Sequence, residues 1–126
     1  MSENIELYPR LVVDGADAAL DFYVRAFSGT VSERFTDPDG HVVHAMVEAG
    51  PVRFAVKDAD KYDPAPSADS VPVIIALYVT DADAVAARMV DGGAEVIFPV
   101  ADHDYGDRGG RFRDPFGHLW MIAQKL

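Results

Sequence analysis

The chain of 126 residues lacks cysteine altogether and contains no long hydrophobic run. Without cysteine there can be no disulfide bond, no thiolate metal site and no cysteine nucleophile. No apolar stretch approaches the roughly 20 residues that a membrane-spanning helix requires. The acidic and polar start at residues 1–6 has neither the basic nor the apolar segment of a secretory signal. We therefore expect a cytoplasmic protein without a membrane partner.

Basic residues are also scarce, because 11 Lys and Arg stand against 21 Asp and Glu, which gives a formal net charge of −10. A negative field of this kind repels nucleic acid and anionic lipid and favours cationic partners. Such a charge also serves solubility alone, so it discriminates only between classes of ligand. We expect no nucleic-acid partner.

What the sequence does contain is one series of secondary-structure signals that occurs twice. In the first half, Asp14 is the predicted N-cap of a helix that ends near Ser28-Gly29. The apolar stripe of this helix comprises Ala16, Ala19, Leu20, Tyr23 and Phe27. Four strands are predicted around the helix, over residues 7–13, 30–36, 41–48 and 52–57.

The second half repeats this order with Asp81 as the predicted N-cap and a helix that stops at Gly92-Gly93. Two βαβββ modules, at approximately 5–57 and 73–126, are therefore expected within a single domain that spans residues 1–126. The linker between them, residues 58–72, is acidic and rich in proline and small residues. Neither module could bury enough apolar surface alone. The predicted fold class is α+β.

The predicted strand at 41–48 indicates which face of a sheet a ligand could use. Successive side chains of a strand alternate between faces. Val43, Ala45 and Val47 share the face expected to pack on the helix, whereas His44 lies on the opposite face. That second face could line a concave binding surface, or it could be a solvated face of the sheet.

The stretch from 105 to 120 is the most distinctive part of the chain. Its sequence Asp114-Pro115-Phe116-Gly117 is typical of a turn between two strands. Before it, three glycines surround Asp107 and Arg108 in a predicted loop that can bring charged side chains close to a ligand. These two residues could also simply pair with each other. The last strand carries the only tryptophan, Trp120.

The chain resembles the vicinal oxygen chelate superfamily, which includes glyoxalase I, bleomycin-resistance proteins and extradiol dioxygenases. The motifs that carry the resemblance are Val13-Asp14, Asp21-Phe22-Tyr23, His44-Ala45-Met46, Tyr105-Gly106-Asp107-Arg108 and Asp114-Pro115-Phe116-Gly117-His118-Leu119-Trp120. The last two together are similar to the PhnB-like branch. The resemblance implies paired modules whose mixed sheets form a cup with the helices outside, usually in a homodimer. Whether modules pair within a chain or between chains stays open.

Enzymes of this superfamily hold a divalent metal with His, Gln or Glu from four strands. The corresponding positions here are Leu7 or Tyr8, Phe54, Ile74 and Met121. None of these side chains is a nitrogen or oxygen ligand suited to Zn²⁺, Fe²⁺, Mn²⁺ or Mg²⁺. We therefore expect neither a metal site nor another cofactor.

A binding protein is the function that the resemblance favours without a metal, because members of the superfamily that lack one sequester antibiotics such as bleomycin. The cup would be lined by Phe54, Tyr78, Trp120 and Met121, and edged by His44, Tyr105, Asp107 and Arg108. Such a site would hold a flat, apolar or cationic small molecule by burial and stacking. Trp120 could equally be a core residue.

Two alternatives remain at this stage. One is a glyoxalase-type lyase, isomerase or dioxygenase, with an unrecognised metal site or with His44 as base and Arg108 or Arg10 as oxyanion partner. The other is a housekeeping or regulatory domain whose cup is filled by its own side chains.

Overall fold

A computed structural model describes residues 3, 4 and 6–126, and it consists of two βαβββ modules. The first module comprises β1 (Arg10–Val13), α1 (Ala16–Phe27), β2 (Thr30–Thr36), β3 (Val42–Ala49) and β4 (Val52–Asp58). The second comprises β5 (Ile74–Tyr78), α2 (Ala82–Asp91), β6 (Glu95–Asp102), β7 (Asp107–Arg113) and β8 (Leu119–Lys125). The predicted α+β fold class is confirmed. Within the described residues, neither helix has the length and apolar character needed to cross a membrane.

Each module forms its own four-stranded mixed sheet. Sheet A has the strand order β1-β4-β3-β2, and sheet B has the equivalent order β5-β8-β7-β6. The first strand of each module pairs in parallel with the last, and the other pairs are antiparallel. No strand of one sheet pairs with a strand of the other in the described part of the chain, so each module keeps its own sheet.

The two modules are joined through one hydrophobic core on the helix side of both sheets. Helix α1 packs against α2, and the Arg88 guanidinium on α2 donates a hydrogen bond of 3.0 Å to the Ala26 carbonyl on α1. The core contains residues from both sheets, among them Val56 and Phe112. We call the opposite face of each sheet its outer face. It follows that both outer faces lie on the outside of the single chain.

The helix N-termini show how the modules correspond. Asp14 is not the N-cap of α1, because Gly15 takes that position with a φ of 96° and offers no side chain. Instead the Asp58 carboxylate, at the end of β4, accepts the Ala16 N–H at 2.7 Å. In the second module Asp81 is the N-cap as predicted, and Gln124 at the end of β8 accepts the Ala82 N–H at 2.6 Å.

Asp58 and Gln124 therefore occupy equivalent places in the two modules. Counting back along β4 and β8 makes Ala55 equivalent to Met121 and Phe54 equivalent to Trp120.

The predicted loop around Asp107 and Arg108 is wrong, since both residues belong to β7. The glycines that suggested a loop are required by close packing of the strands. A Cβ at Gly109 would lie 2.7 Å from the Ile122 carbonyl oxygen, and one at Gly110 would lie 2.6 Å from that of Phe98. Glycine here permits the close approach of neighbouring backbone rather than a flexible loop.

An irregularity in the β2–β3 pairing changes one predicted face. The register shifts between Phe35 and Thr36, so that they pair with His44 and Val42. Val43 is consequently 44% exposed, whereas Val42, Ala45 and Val47 are in the core. The predicted core face was therefore right for two residues and wrong for Val43, because a bulge breaks the simple alternation.

Candidate functional site

Phe54 and Trp120 do not line an outer face, which corrects their predicted place in the cup. They are 2% and 1% exposed, and their rings lie 5.5 Å apart between centroids in the core. Tyr23 and Phe27 of α1 pack against both rings. The side chains point to the helix side because they alternate with the outward residues of β4 and β8.

Asp114 explains why Trp120 is held inside. Its carboxylate accepts hydrogen bonds from the Trp120 indole N–H at 2.8 Å and from the Tyr23 hydroxyl at 2.6 Å. The backbone N–H groups of Phe116 and His118 complete the set. Burial, followed by the Asp114 charge, raises the pKa of Tyr23 well above its usual value. The Asp-Pro-Phe-Gly turn thus serves the core rather than a ligand.

Arg108 is also absent from the predicted site. Its guanidinium pairs with Asp83 in the first turn of α2 at 2.9 Å and with Asp102 at the end of β6 at 3.0 Å. The hydrogen bonds to these carboxylates raise the pKa of Arg108, and the pKa of Asp83 is lowered in turn. Arg108 pairs with these two acids and not with Asp107, because successive residues of a strand point to opposite faces.

The other predicted residues of the second module do lie together on the outer face of sheet B. Tyr78 donates a hydrogen bond from its hydroxyl to Asp107 at 2.6 Å, and this bond raises the pKa of Tyr78. The Lys125 ammonium lies 3.7 Å from the same carboxylate and 4.4 Å from the centroid of the Tyr78 ring. Asp107 is only 6% exposed. A largely buried negative charge is therefore fixed on this face.

A small cleft of about 120 Å³ lies beside Asp107 and contains Tyr105 and Met121. Sequence reasoning missed three further residues that line it, namely Phe98, His103 and Arg111. The Tyr105 ring stacks on His103 with centroids 5.2 Å apart. Had β7 been recognised as a strand from Asp107, alternation would have placed Arg111 on the same face. Phe98 had no such signal, because the β6–β7 pairing is irregular.

His44 lies apart from this group, on the outer face of sheet A. Its Nδ1 is 2.9 Å from the Arg10 guanidinium, and its Nε2 is 3.2 Å from the Glu33 carboxylate. Since Arg10 can only donate and ionised Glu33 can only accept, the partners assign the proton to Nε2. Phe35 stacks on the imidazole ring. His44 consequently orients its neighbours and presents no unoccupied lone pair to a substrate.

Sheet A carries a second charged cluster on the same side, at the start of the linker. The Lys57 ammonium contacts the carboxylates of Asp60 and Asp63 at 2.8 and 2.6 Å. The hydrogen bond from Lys57 lowers the pKa of Asp60 to about 2, and the pKa of Lys57 is raised. This cluster fixes the linker to the sheet.

The positions that would hold a metal do not fit one. By the correspondence between modules, the outward position on β4 is Ala55 rather than the predicted Phe54. The set is then Tyr8, Ala55, Ile74 and Met121, with the Arg53 guanidinium 5.5 Å from the Tyr8 ring centroid. Apolar side chains beside a fixed cation do not offer the anionic or imidazole ligands that a divalent ion requires.

In the described part of the chain, one group of acids and histidine has its ligand atoms close together, namely Asp37, Asp39 and His41 in the β2–β3 turn. One Asp37 oxygen already accepts the backbone N–H groups of Asp39 and His41, which is the ordinary role of aspartate in such a turn.

Comparison with known proteins places this geometry in a family. The family model of the Glyoxalase/Bleomycin resistance protein/Dioxygenase superfamily matches residues 7–122. The uncharacterized protein Rv0887c of Mycobacterium tuberculosis is 39% identical over 134 aligned positions, which cover 100% of this chain and 79% of the relative.

Among solved structures, TioX from Micromonospora sp. ML1 is 25% identical with a TM-score of 0.76, and the match covers 98% of this chain and 100% of TioX. FosX, a fosfomycin resistance protein from Mesorhizobium loti, is 16% identical with a TM-score of 0.71, over 100% and 95% of the two chains. A PhnB protein from Bacillus cereus is 16% identical with a TM-score of 0.73, over 95% and 99%. The last two show likeness of fold alone.

Proposed function

Since the chain belongs to the glyoxalase/bleomycin resistance protein/dioxygenase superfamily, we propose that it is a metal-independent binding protein that sequesters an aromatic or cationic natural product or antibiotic. The observation that carries this proposal is the outer face of sheet B, where exposed aromatic rings flank a largely buried carboxylate. Phe98 and Tyr105 are 59% and 72% exposed, and Asp107 lies in the same cleft.

Four side chains of the cleft have a direct physical role in this proposal, namely Phe98, Tyr105, Asp107 and Met121. Phe98 and Tyr105 offer ring faces on which a planar molecule can stack, and the Met121 thioether adapts to irregular apolar shapes. Asp107 supplies a negative charge whose hydrogen bond from Tyr78 holds it in place. The net charge of −10 raises the local concentration of a cation. A flat cation is therefore the class of ligand that suits this surface best.

The cleft alone is too small for a drug-sized molecule, because pockets for such ligands measure roughly 300–1,000 Å³. We infer that a homodimer enlarges it, with the outer face of sheet A of one protomer covering that of sheet B of its partner. Exposed apolar side chains on both faces support this, among them Phe35 of sheet A and Ile74 and Phe98 of sheet B. Sedimentation equilibrium that gives a monomer mass at micromolar concentration would contradict the dimer.

Isothermal titration calorimetry with proflavine, a planar aromatic cation, tests the binding function. Proflavine should bind, and acridine-9-carboxylate, an anion of similar shape, should bind at least tenfold more weakly. Tryptophan fluorescence is unsuitable here because Trp120 lies in the core.

Asp107→Asn is the decisive variant, because the amide keeps an acceptor for Tyr78 but removes the charge. We expect proflavine affinity to fall about fivefold and acridine-9-carboxylate affinity to stay or rise. Asp102→Asn is the matched control, because Asp102 pairs with Arg108 outside the cleft. Equal affinity for cation and anion in the wild type, or equal losses in both variants, would refute the proposal.

A further inference from the structure

We propose that the chain has a second ligand site, distinct from the cleft beside Asp107, which takes an apolar molecule bearing one carboxylate. A cavity of about 600 Å³ lies between the two modules on the helix side of both sheets. Its apolar wall includes Phe27, Phe54, Leu77, Val79 and Val85, from both modules. This volume falls within the range of roughly 300–1,000 Å³ that is typical of small-molecule pockets.

The internal symmetry of the chain explains why this space is open. The β7–β8 turn carries Phe116, whose ring packs 6.1 Å from those of Phe22 and Tyr23 on α1. The linker adds Pro66, which packs against Gly117 of the same turn. The corresponding β3–β4 turn, residues 50 and 51, carries no aromatic side chain that could fill the space beside α2. The space beside α2 is therefore open, whereas the equivalent space beside α1 is filled by Phe116.

The charge at the mouth defines the ligand class. Among the described residues that line the cavity, Lys125 is the only charged one, and its side chain is 77% exposed. Its ammonium lies over the Tyr78 ring at the edge of the opening. An apolar chain in the cavity would place a terminal carboxylate within reach of this cation. A cationic head group would meet the Lys125 charge instead and be repelled.

Isothermal titration with decanoate tests the site, with 1-decanol and decyltrimethylammonium as probes of the head group. Decanoate should bind with one molecule per chain and about fivefold more tightly than 1-decanol. Decyltrimethylammonium should bind more weakly than 1-decanol. Octanoate should bind more weakly than decanoate by about fourfold for each methylene removed. Equal affinity for all three head groups, or no dependence on chain length, would overturn the proposal.

Two kinds of variant locate the site. Leu77→Phe on β5 and Val85→Phe on α2 each fill the cavity from the wall formed by the second module. At least one variant that folds should abolish decanoate binding while leaving proflavine binding unchanged. Lys125→Met should weaken decanoate about fivefold. Lys61→Met is the matched control, because Lys61 also lies over a tyrosine ring, that of Tyr62 at 5.1 Å. Equal effects of the two lysine variants would contradict the role of Lys125.

A second copy of the chain is the competing occupant of the cavity. Sedimentation equilibrium of the folded Val85→Phe or Leu77→Phe variant separates the two cases. A ligand site predicts the same mass as the wild type, whereas a loss of self-association would show that this space is an interface and would overturn the proposal. Asp107, on which the proflavine test depends, does not line the cavity, and Val85 and Leu77 do not line the cleft, so either proposal can fail without the other.

Discussion

The two modules share one topology, yet the outer faces of their sheets are built differently. On sheet A the charged groups are paired with one another, as Arg10 and Glu33 are through His44. On sheet B the face presents exposed aromatic rings around Asp107. Equivalent strands therefore carry a set of paired charged groups on one outer face and exposed aromatic rings on the other. The difference shows that two modules of one topology can give their outer faces different chemistry.

The largest expected effect is on stability, and it concerns Asp114 in the turn that joins β7 and β8. Asp114→Ala removes the acceptor for four donors, three of which are buried, so we expect the free energy of unfolding to fall by about 3 kcal/mol or more. Glu48, one residue before the end of β3, is the control, and Glu48→Ala should change stability by less than about 0.5 kcal/mol. Urea unfolding followed by circular dichroism measures both. Equal losses would show that the turns are not differently anchored.

The second prediction compares two phenylalanines that are each 59% exposed, Phe98 on sheet B and Phe35 on sheet A. Phe98→Ala should weaken proflavine about tenfold, because it removes a stacking surface of the cleft. Phe35→Ala should weaken it by roughly threefold at most, since that ring already stacks on His44. Titration calorimetry gives both affinities, and the reverse order would assign the ligand to sheet A.

The third prediction concerns stability at low pH, where the ion pair between Lys57 and Asp60 should no longer stabilise the fold. The pKa of Asp60 is about 2 in the folded chain, below the ordinary value of about 3.9 that applies when the chain is unfolded. Its contribution to stability is thus complete above pH 4 to 5 and is lost as the pH falls from about 4 towards 2.

Asp60→Asn should therefore have a lower urea midpoint than the wild type at pH 6, and the gap should close between about pH 4 and pH 2. Asp69→Asn, a change of an exposed linker acid outside the Lys57 cluster, should show no such pH-dependent gap. A gap that persists at pH 2 would contradict the assignment.

The smallest effect is expected for Arg108, although the sequence suggested that it contacts the ligand. Arg108→Gln breaks the pairs with Asp83 and Asp102 on the far side of β7. Proflavine affinity should stay within about twofold of the wild type, and the melting temperature should fall by only about 2–4 °C. A tenfold loss of affinity would place Arg108 back in the binding surface.

Several features of the fold could be predicted from the sequence because their causes are local. The apolar stripes of α1 and α2, the cap at Asp81 and the turn at Asp114 to Gly117 each depend on residues a few positions apart. The glycine at 117 does take the positive φ that the turn requires, at 93°. The absence of a nitrogen or oxygen metal ligand at Ile74 and Met121 is likewise evident from the residue types alone.

The candidate site was predicted only in part, since its composition depends on which way each strand side chain points. One bulge in β3 and the irregular β6–β7 pairing change the faces of Val43 and Phe98, and a sequence pattern does not contain such shifts. Only the tertiary structure decided that Phe54 and Trp120 are core residues and that Arg108 pairs outside the cleft. The cap that Asp58 supplies to α1 likewise spans 42 residues of chain. The sequence by itself determined most of the helices and strands, the family and the types of side chain present. Long-range packing determined which of these side chains contact one another.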